Sequence, residues 1–317
     1  MDFTRREVIW VTAVLLISLF LSSMALERKL NRTESWEDGT LAKNHQSLLE
    51  GTFTNHEQSR LLQFLIPEVF HRAFSVKISD AYKAQRFLFV FLTLFLFYLY
   101  SRKWFKNWVS LLCSVLFYLT LILTFKNHLQ ESASLLSVTA LLSLWYLREK
   151  RHLFLAVTVF IGLMNNETML FFICAFGFFE IFKEKVPLVE VMHKSLIYFS
   201  LPLICFLLIR YTFRNHPVLG GGVHFMDNFL MLGKLFMVYH IFWILAFLTP
   251  RKKPRFVKYS LLLVPLFILP NFVFGAIEET RQMLPLAFII IPASLFSVEY
   301  MLSRNAKHKV SLLRTNE

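Results

Sequence analysis

The sequence predicts an all-α polytopic membrane protein, and three observations lead to that fold class. Of its 317 residues, 56% are apolar, 36 are Phe and only 17% are charged, against about 25% charged residues in average soluble domains. A soluble globule of this size has too little interior to bury so many large apolar side chains. Almost uncharged runs at 87–100, 108–125 and 259–276 are long enough to cross most of a bilayer.

Apolar runs and the charged breaks between them give about ten predicted transmembrane spans. The spans lie near 8–25, 86–100, 108–125, 132–147, 152–164, 168–182, 194–212, 229–248, 257–276 and 282–302. Several are short for a hydrocarbon core of about 30 Å, so we expect some polar motifs to lie below the membrane surface. The chain, 1–317, is predicted to form a single transmembrane domain.

Lys and Arg are distributed unequally between alternate loops. The basic loops are those near 5–6, 102–106, 148–151, 183–194, 251–258 and 304–314. By the positive-inside rule, this pattern predicts a multi-pass protein with both termini in the cytoplasm. The net charge of +13 is then a topology signal, so the predicted partner is the lipid bilayer and not nucleic acid.

The long loop at 26–85 is predicted to lie on the outer side and to contain two amphipathic helices in the membrane interface. Capping-box patterns begin at Ser35 and at Thr54. In the first helix, apolar spacing relates Leu41, His45, Leu48 and Leu49. In the second, which Pro67 kinks or restarts, the apolar stripe comprises Leu62, Leu65, Ile66, Val69, Phe70 and Ala73.

The first candidate site is the pair Glu37 and Asp38, which follows the first span on the outer side. A carboxylate at the bilayer surface can act as a general base toward a hydroxyl, with a pKa tuned by partial burial. Asp38 is also the third helical residue of the first capping box, so a purely structural role is the alternative.

The second candidate is Asn165-Asn166-Glu167-Thr168, between two short spans. Polar residues at headgroup depth are costly and usually face a cavity. The alternative is a tight turn in which Asn or Thr caps the next helix.

The third candidate comprises Glu278, Glu279 and Arg281, which open the last span. A planar guanidinium there suits bidentate binding of a phosphate, and the alternative is an ion pair of Arg281 with Glu278 or Glu167. No spacing of His, Cys or acidic residues indicates a metal site, so no cofactor is predicted. A divalent metal is compatible with the sequence but not indicated by it.

The segment 36–67, WEDGTLAKNHQSLLEGTFTNHEQSRLLQFLIP, resembles the first outer loop of polytopic GT-C glycosyltransferases. Those enzymes have an acidic residue soon after the first span and then an Arg-x-Leu…Pro stretch. Asn166-Glu167-Thr168 is similar to the Arg/Asn-Glu-Thr motif of many bacterial members, and Glu278-Glu279-Thr280-Arg281…Pro285 is similar to their Glu-x-Arg…Pro motif.

The resemblance implies inverting transfer of a sugar from a polyprenyl-phosphate carrier to a hydroxyl acceptor on the non-cytoplasmic face. It implies that Asp38 is the base, with Glu37 as its neighbour or substitute, and that Arg281, assisted by Arg60, binds the donor phosphate. The residues implied to orient Arg281 or to bind sugar hydroxyls are Glu167, Asn166, Glu278 and Glu279. The sugar, the length of the carrier and the acceptor are not implied.

Two other functions compete with this interpretation. A transporter or flippase for a lipid-linked sugar would use the same headgroup-binding residues, but it predicts polar residues at mid-membrane depth and an internal repeat, neither of which the sequence displays. A non-catalytic membrane subunit would leave the outer acidic clusters as caps and turns.

Overall fold

The computed structural model describes residues 5–31, 39–53, 56–124, 132–214, 225–274 and 280–314, and the regular secondary structure of these residues is helical throughout. The α-helices are α1 Arg5–Leu30, α2 Thr40–Leu49, α3 Leu61–Phe74, α4 Ile78–Ser101, α5 Asn107–Leu123, α6 Ala133–Glu149, α7 His152–Leu163, α8 Leu170–Phe178, α9 Leu188–Thr212, α10 Phe225–Leu230, α11 Leu232–Tyr239, α12 Phe242–Phe247, α13 Arg255–Phe274 and α14 Ala287–Arg314. Single 3-10 turns lie at His56–Ser59, Glu167–Met169 and Pro250–Lys252, a longer 3-10 segment at Thr280–Leu286, and a π-helical turn at Phe179–Lys183. The predicted all-helical fold is confirmed for the described residues.

Five of the described helical stretches are long and apolar enough to cross a membrane. They are Glu7–Leu30, Ile78–Ser101, Leu188–Thr212, Arg255–Val273 and Thr280–Ser303. The apolar helices α5 and α7 are shorter, and the predicted span 229–248 is divided among α10, α11 and α12. A membrane protein is therefore supported, whereas the count of about ten spans stays a prediction.

Aromatic side chains fill the centre of the bundle. The ring of Phe97 on α4 lies 6.0 Å from the ring of Phe117 on α5 and 5.0 Å from the ring of Phe288 on α14. All three side chains are fully buried, with exposed fractions of 1% or less. Because edge-to-face and offset rings pack at these centroid distances, much of the unusual Phe content fills the contacts between helices.

Helix α9 presents most of its apolar surface outward. Leu188, Leu196, Leu201 and Leu208 each expose 60% or more of their surface, and its contacts with the bundle are with α7, α8 and the π-helical turn. An apolar helix that is exposed on most of its circumference is what a lipid-facing span requires, since lipid and not water meets that face.

Four of the six basic loops, those near 102–106, 148–151, 183–194 and 251–258, meet at one end of the bundle, which we call the basic end. Lys103 forms an ion pair with Glu149 at 2.9 Å, and Lys194 forms one with Glu180 at 3.0 Å. Arg255 donates to the backbone carbonyl of Lys183. These four loops thus lie together, whereas the position of the segments near 5–6 and 304–314 and the compartment that this end faces stay predictions.

The two helices expected between 26 and 85 exist, although both begin later than the capping boxes indicate. α2 begins at Thr40 after Gly39, whose φ of +79° is left-handed and therefore favours glycine. α3 begins at Leu61 and continues through Pro67, so the expected kink or restart there does not interrupt the helix. Their position in a membrane interface stays a prediction.

Helix α3 turns its predicted apolar stripe outward. Val69 is 64% exposed and Leu65 38% exposed, whereas Gln63, Phe64 and Glu68 are buried against the bundle. In water this orientation would be unfavourable, but an apolar stripe beside a membrane can contact lipid. The polar side chains of α3 therefore become available for interactions inside the protein.

Candidate functional site

At the end of the bundle opposite the basic end, α3 is joined to the turn that follows α7. The backbone amide of Leu62 donates to the carbonyl of Met164 at 3.2 Å. This bond fixes the first turn of α3 against the Asn165–Thr168 turn, so two segments about 100 residues apart in sequence form one polar layer.

The Asn165–Thr168 turn is held by its own side chains and by the start of α6. Asn166 Oδ1 accepts from the backbone amide of Thr168 at 2.9 Å, which caps the following 3-10 turn. Asn165 and Asn166 also donate through Nδ2 to the carbonyl and to the hydroxyl of Ser132, each at 2.9 Å. The capping alternative considered for this motif is therefore what the structure contains, and Asn166 uses both ends of its amide for it.

Gly162 allows this turn to close. Its carbonyl accepts from the backbone amides of Asn165 and Asn166 at 3.0 and 2.8 Å. A Cβ at position 162 would lie 2.5 Å from Cγ of Met169, a fully buried side chain. A glycine is needed here because the methionine lies directly against the backbone.

Glu167 is shared between two arginines. Its Oε1 accepts from Arg60 Nη2 at 2.8 Å, and its Oε2 accepts from Arg210 Nη2 at 2.7 Å. Burial acts to raise the pKa of Glu167, but the Arg60 and Arg210 guanidiniums outweigh it and hold the pKa well below its usual range. Glu167 is thus ionised at neutral pH, and the three groups carry a formal net charge of +1.

The three charged groups differ in exposure, which decides how a ligand could reach them. The Arg60 side chain is 8% exposed, whereas those of Arg210 and Glu167 are 29% and 39% exposed. The Arg210 guanidinium lies 5.4 Å from the ring centre of Phe206, one turn earlier on α9, whose apolar side chains face outward. The cluster is therefore half-open, with its accessible side next to the apolar face of α9.

The depth of this layer follows from helix lengths. The 12 residues of α7 rise about 18 Å at about 1.5 Å per residue, and the 17 residues of α6 rise about 26 Å. Both are shorter than a hydrocarbon core of about 30 Å. In a bilayer of that thickness, a turn at this level would lie at or below the headgroups, where charged groups are usually functional.

A second buried polar network joins α2, α3 and α4. His45 Nε2 lies 3.0 Å from Glu68 Oε2, and His45 Nδ1 lies 3.0 Å from the hydroxyl of Tyr82. Since a carboxylate only accepts, Nε2 donates to Glu68, and in the neutral ring Nδ1 accepts from Tyr82. The hydrogen bond from His45, together with Arg72, lowers the pKa of Glu68 despite its burial. This network fixes the two outer-loop helices to the long helix α4.

One turn from this network, an open cavity of about 580 Å³ lies between the starts of α2 and α4. Its lining includes Gly39, Ser79 and Asp80 together with Lys77 and Lys83. Lys83 forms an ion pair with Asp80 at 3.1 Å. Gly39 directly follows Asp38 in the sequence. The candidate base is therefore the sequence neighbour of a residue that lines this cavity.

Three buried amide side chains near the polar layer have hydrogen-bonding atoms without a partner within the described part of the chain. Both amide atoms of Gln63 are in this state, as are Oε1 of Gln58 and Oδ1 of Asn165. The residues are only 2%, 1% and 0% exposed. Buried polar atoms are nearly always paired with protein or water, so such a group requires an explanation.

Several of the predicted site residues cannot be placed. Glu37 and Asp38, and likewise Glu278 and Glu279, lie outside the described residues. Arg281 is 9% exposed, in the 3-10 segment that packs against α6, α11, α13 and α14.

Arg60, Asn166 and Glu167 are brought together by the contact between α3 and the turn after α7. The described cations that contact Glu167 are Arg60 and Arg210, so a role for Glu167 toward Arg281 stays a prediction.

The sequence analysis missed the site contributions of Arg210 and Gln63. Arg210 lies in the last turn of an apolar helix, where a long basic side chain can reach the membrane surface, so its position in the sequence gave little signal. Gln63 offered a weaker signal, as a polar residue beside an apolar stripe.

Among the described residues, no group of three His, Cys, Asp or Glu side chains could hold a metal ion. Comparisons with protein-family models, curated proteins and solved structures found no match to this chain.

Proposed function

We propose that the chain is a membrane-embedded inverting glycosyltransferase, which moves a sugar from a polyprenyl-phosphate carrier to a hydroxyl acceptor. One observation carries the proposal: two guanidiniums, from Arg60 and Arg210, surround the half-exposed carboxylate of Glu167 next to the lipid-exposed face of α9. A lipid phosphate needs cations for its headgroup and an apolar surface for its tail. This end of the bundle offers both.

In the proposed site, Arg60 and Arg210 bind the donor phosphate. Their combined charge exceeds that of Glu167 by one, so a phosphodiester with a single negative charge would neutralise the site. The more exposed Arg210 meets the phosphate first, and the buried Arg60 is the deeper contact. Arg281, the arginine implied by the family resemblance, remains a candidate for a second phosphate contact.

The proposed reaction is a direct displacement at the anomeric carbon. The acceptor hydroxyl loses its proton to the Asp38 carboxylate, and its oxygen forms a bond to the anomeric carbon from the face opposite the phosphate. The bond between that carbon and the phosphate oxygen breaks, and its electron pair stays on the lipid phosphate. Because the phosphate thereby gains one negative charge, Arg60 and Arg210 stabilise the transition state more than the bound donor.

The other implied residues have supporting roles in this scheme. Glu167 holds the two guanidiniums in place before the donor binds, and Asn166 fixes the turn that carries Glu167. Glu37 is the substitute for Asp38 as base, and Glu278 and Glu279 are candidates for sugar hydroxyls. The acceptor is proposed to enter through the cavity that begins at Gly39.

The test compares lipid binding and sugar transfer in matched variants of the full chain in nanodiscs. Native mass spectrometry with heptaprenyl phosphate should give at least tenfold weaker binding for Arg60→Ala and for Arg210→Ala, since each removes a charge-assisted contact worth about 1.5–3 kcal/mol. Arg72→Ala is the control. Arg72 lies on α3, the helix that begins directly after Arg60, and its side chain is 75% exposed and pairs with Glu68. Unchanged binding in both site variants would rule out this phosphate site.

Transfer is measured separately from binding, with lipid-linked sugar donors that the purified protein retains. Asp38→Asn should bind the lipid as the wild type does but should not transfer the sugar. A flippase would instead bind the same lipid and move it across a vesicle membrane without consuming it, and Asp38→Asn would leave that movement intact.

A further inference from the structure

The buried face of α3 contains a polar position that the proposed reaction has not used. Gln63 is 2% exposed, and neither its amide oxygen nor its amide nitrogen has a partner within the described part of the chain. Pro67, four residues later on the same buried face, has no N–H and cannot donate to the backbone carbonyl of Gln63. The side-chain amide and the backbone carbonyl of one residue thus both lack their usual partners.

Gln63 also occupies a defined place on α3, between Arg60 and Glu68. It is three residues after Arg60, in the first turn of α3, and the neighbouring Leu62 amide is bonded to the turn that carries Asn165 and Glu167. Glu68 lies further along the same face of α3 and is hydrogen-bonded to His45 on α2. The first residues of α2 line the cavity at Gly39. A group bound at Arg60 and Arg210 would have Gln63 on the side that leads toward Glu68 and this cavity.

The two asparagines of the neighbouring turn differ in a way that supports a ligand. Asn166 has both ends of its amide bonded, to the Thr168 amide within the turn and to the Ser132 hydroxyl at the start of α6, as a purely structural residue would. Asn165 donates to Ser132 but has no partner for Oδ1 among the described residues, although the residue is fully buried. Two adjacent elements therefore present buried amide atoms that remain to be satisfied.

We infer that Gln63, with Asn165, forms a subsite for a neutral, hydroxyl-bearing group, which in the proposed function is the sugar of the donor. An amide donates and accepts at once, which matches the hydroxyls of a sugar better than a charged group does. This inference rests on the proposed function and assigns the residues that distinguish the glycosylated carrier from the bare one. Since the atoms lie below the surface, the sugar reaches them only when a covering side chain moves.

Gln63→Met provides a sharp test, because methionine has nearly the same shape and no polar amide. If Gln63 had no ligand, the substitution would remove two unsatisfied buried atoms. It would then raise the free energy of unfolding and leave lipid binding unchanged. If Gln63 binds the sugar, the variant is at least as stable as the wild type but no longer binds the glycosylated lipid more tightly than the bare lipid phosphate. Gln46→Met is the matched control, since Gln46 is exposed on α2 and bonded to Glu50.

The measurement is native mass spectrometry of the full chain with heptaprenyl phosphate and with its mannosyl, glucosyl and arabinosyl phosphodiesters. We expect the wild type and Gln46→Met to bind at least one glycosylated lipid about tenfold more tightly than the bare phosphate. We expect Gln63→Met to bind all four equally, with an unchanged affinity for heptaprenyl phosphate and an unfolding temperature that is not lowered.

Two results would overturn the subsite: no preference of the wild type for any of the three glycosylated lipids, or a preference that Gln63→Met retains. Failure of the proposed function would be seen differently, as weak binding of heptaprenyl phosphate itself or as binding that Arg60→Ala and Arg210→Ala leave intact.

Discussion

Glu167→Gln should lower the stability of the protein and raise its affinity for a lipid phosphate. Glu167 accepts one short hydrogen bond from Arg60 and one from Arg210. A glutamine keeps a single acceptor oxygen, and its amino group faces a guanidinium, so at least one of these bonds is lost. Hydrogen bonds to charged groups contribute about 1.5–3 kcal/mol, and the 39% exposure of Glu167 reduces the loss to about 1.5 kcal/mol through solvent screening.

The same substitution removes the negative charge that competes with a bound phosphate. Two unit charges at a separation of about 5 Å repel by about 3 kcal/mol at an effective dielectric constant of about 20. If screening at the half-exposed site halves this term, the phosphate gains about 1.5 kcal/mol, which is roughly a tenfold higher affinity.

The assay combines thermal unfolding with a lipid titration. Unfolding followed by fluorescence of the six Trp residues should show a midpoint lowered by about 2 °C. Native mass spectrometry with heptaprenyl phosphate should show the tighter binding. Glu190→Gln is the control, because Glu190 forms an exposed ion pair with Lys194 at the basic end and neither quantity should change.

The reasoning would be refuted if the affinity of Glu167→Gln for heptaprenyl phosphate stayed unchanged or fell. An unchanged value would mean that the phosphate binds elsewhere. A fall would mean that Glu167 acts only by holding the two arginines in position.

Two further predictions concern packing and pH. Gly162→Ala should lower the free energy of unfolding by about 1–3 kcal/mol, because its Cβ would lie 2.5 Å from Met169 Cγ. The loss should be smaller in a Met169→Ala background, and equal losses in both backgrounds, measured by thermal unfolding, would contradict the contact. Burial lowers the pKa of Lys253 to about 8 from 10.5, so between pH 8 and 10.5 the unfolded chain binds more protons and stability should rise with pH. Lys253→Met should abolish that rise, and an identical pH slope in the variant and the wild type would exclude Lys253 as its source.

The features that depend on local pattern were predictable from the sequence. Apolar composition and helical spacing predicted an all-helical chain, because both are properties of short stretches. Leu41, His45 and Leu48 share one face of α2, as the spacing predicted, although that face is buried in the protein. Asn166 forms the cap that was its alternative role. Charge placement also grouped the loops that the structure joins at the basic end.

Tertiary packing decided which charges and amides meet. Glu167 contacts Arg60 at a separation of 107 residues and Arg210 at a separation of 43, and no local pattern indicates which cation a carboxylate will face. Packing also placed Gln63 and Glu68 inside and turned the predicted apolar stripe of α3 outward. The periodicity of a helix defines its faces, but whether lipid or protein covers each face is determined by its neighbours. The sequence by itself thus determined the helices and the distribution of charge, and only the packing of α3 and α9 around the turn after α7 assembled the candidate site.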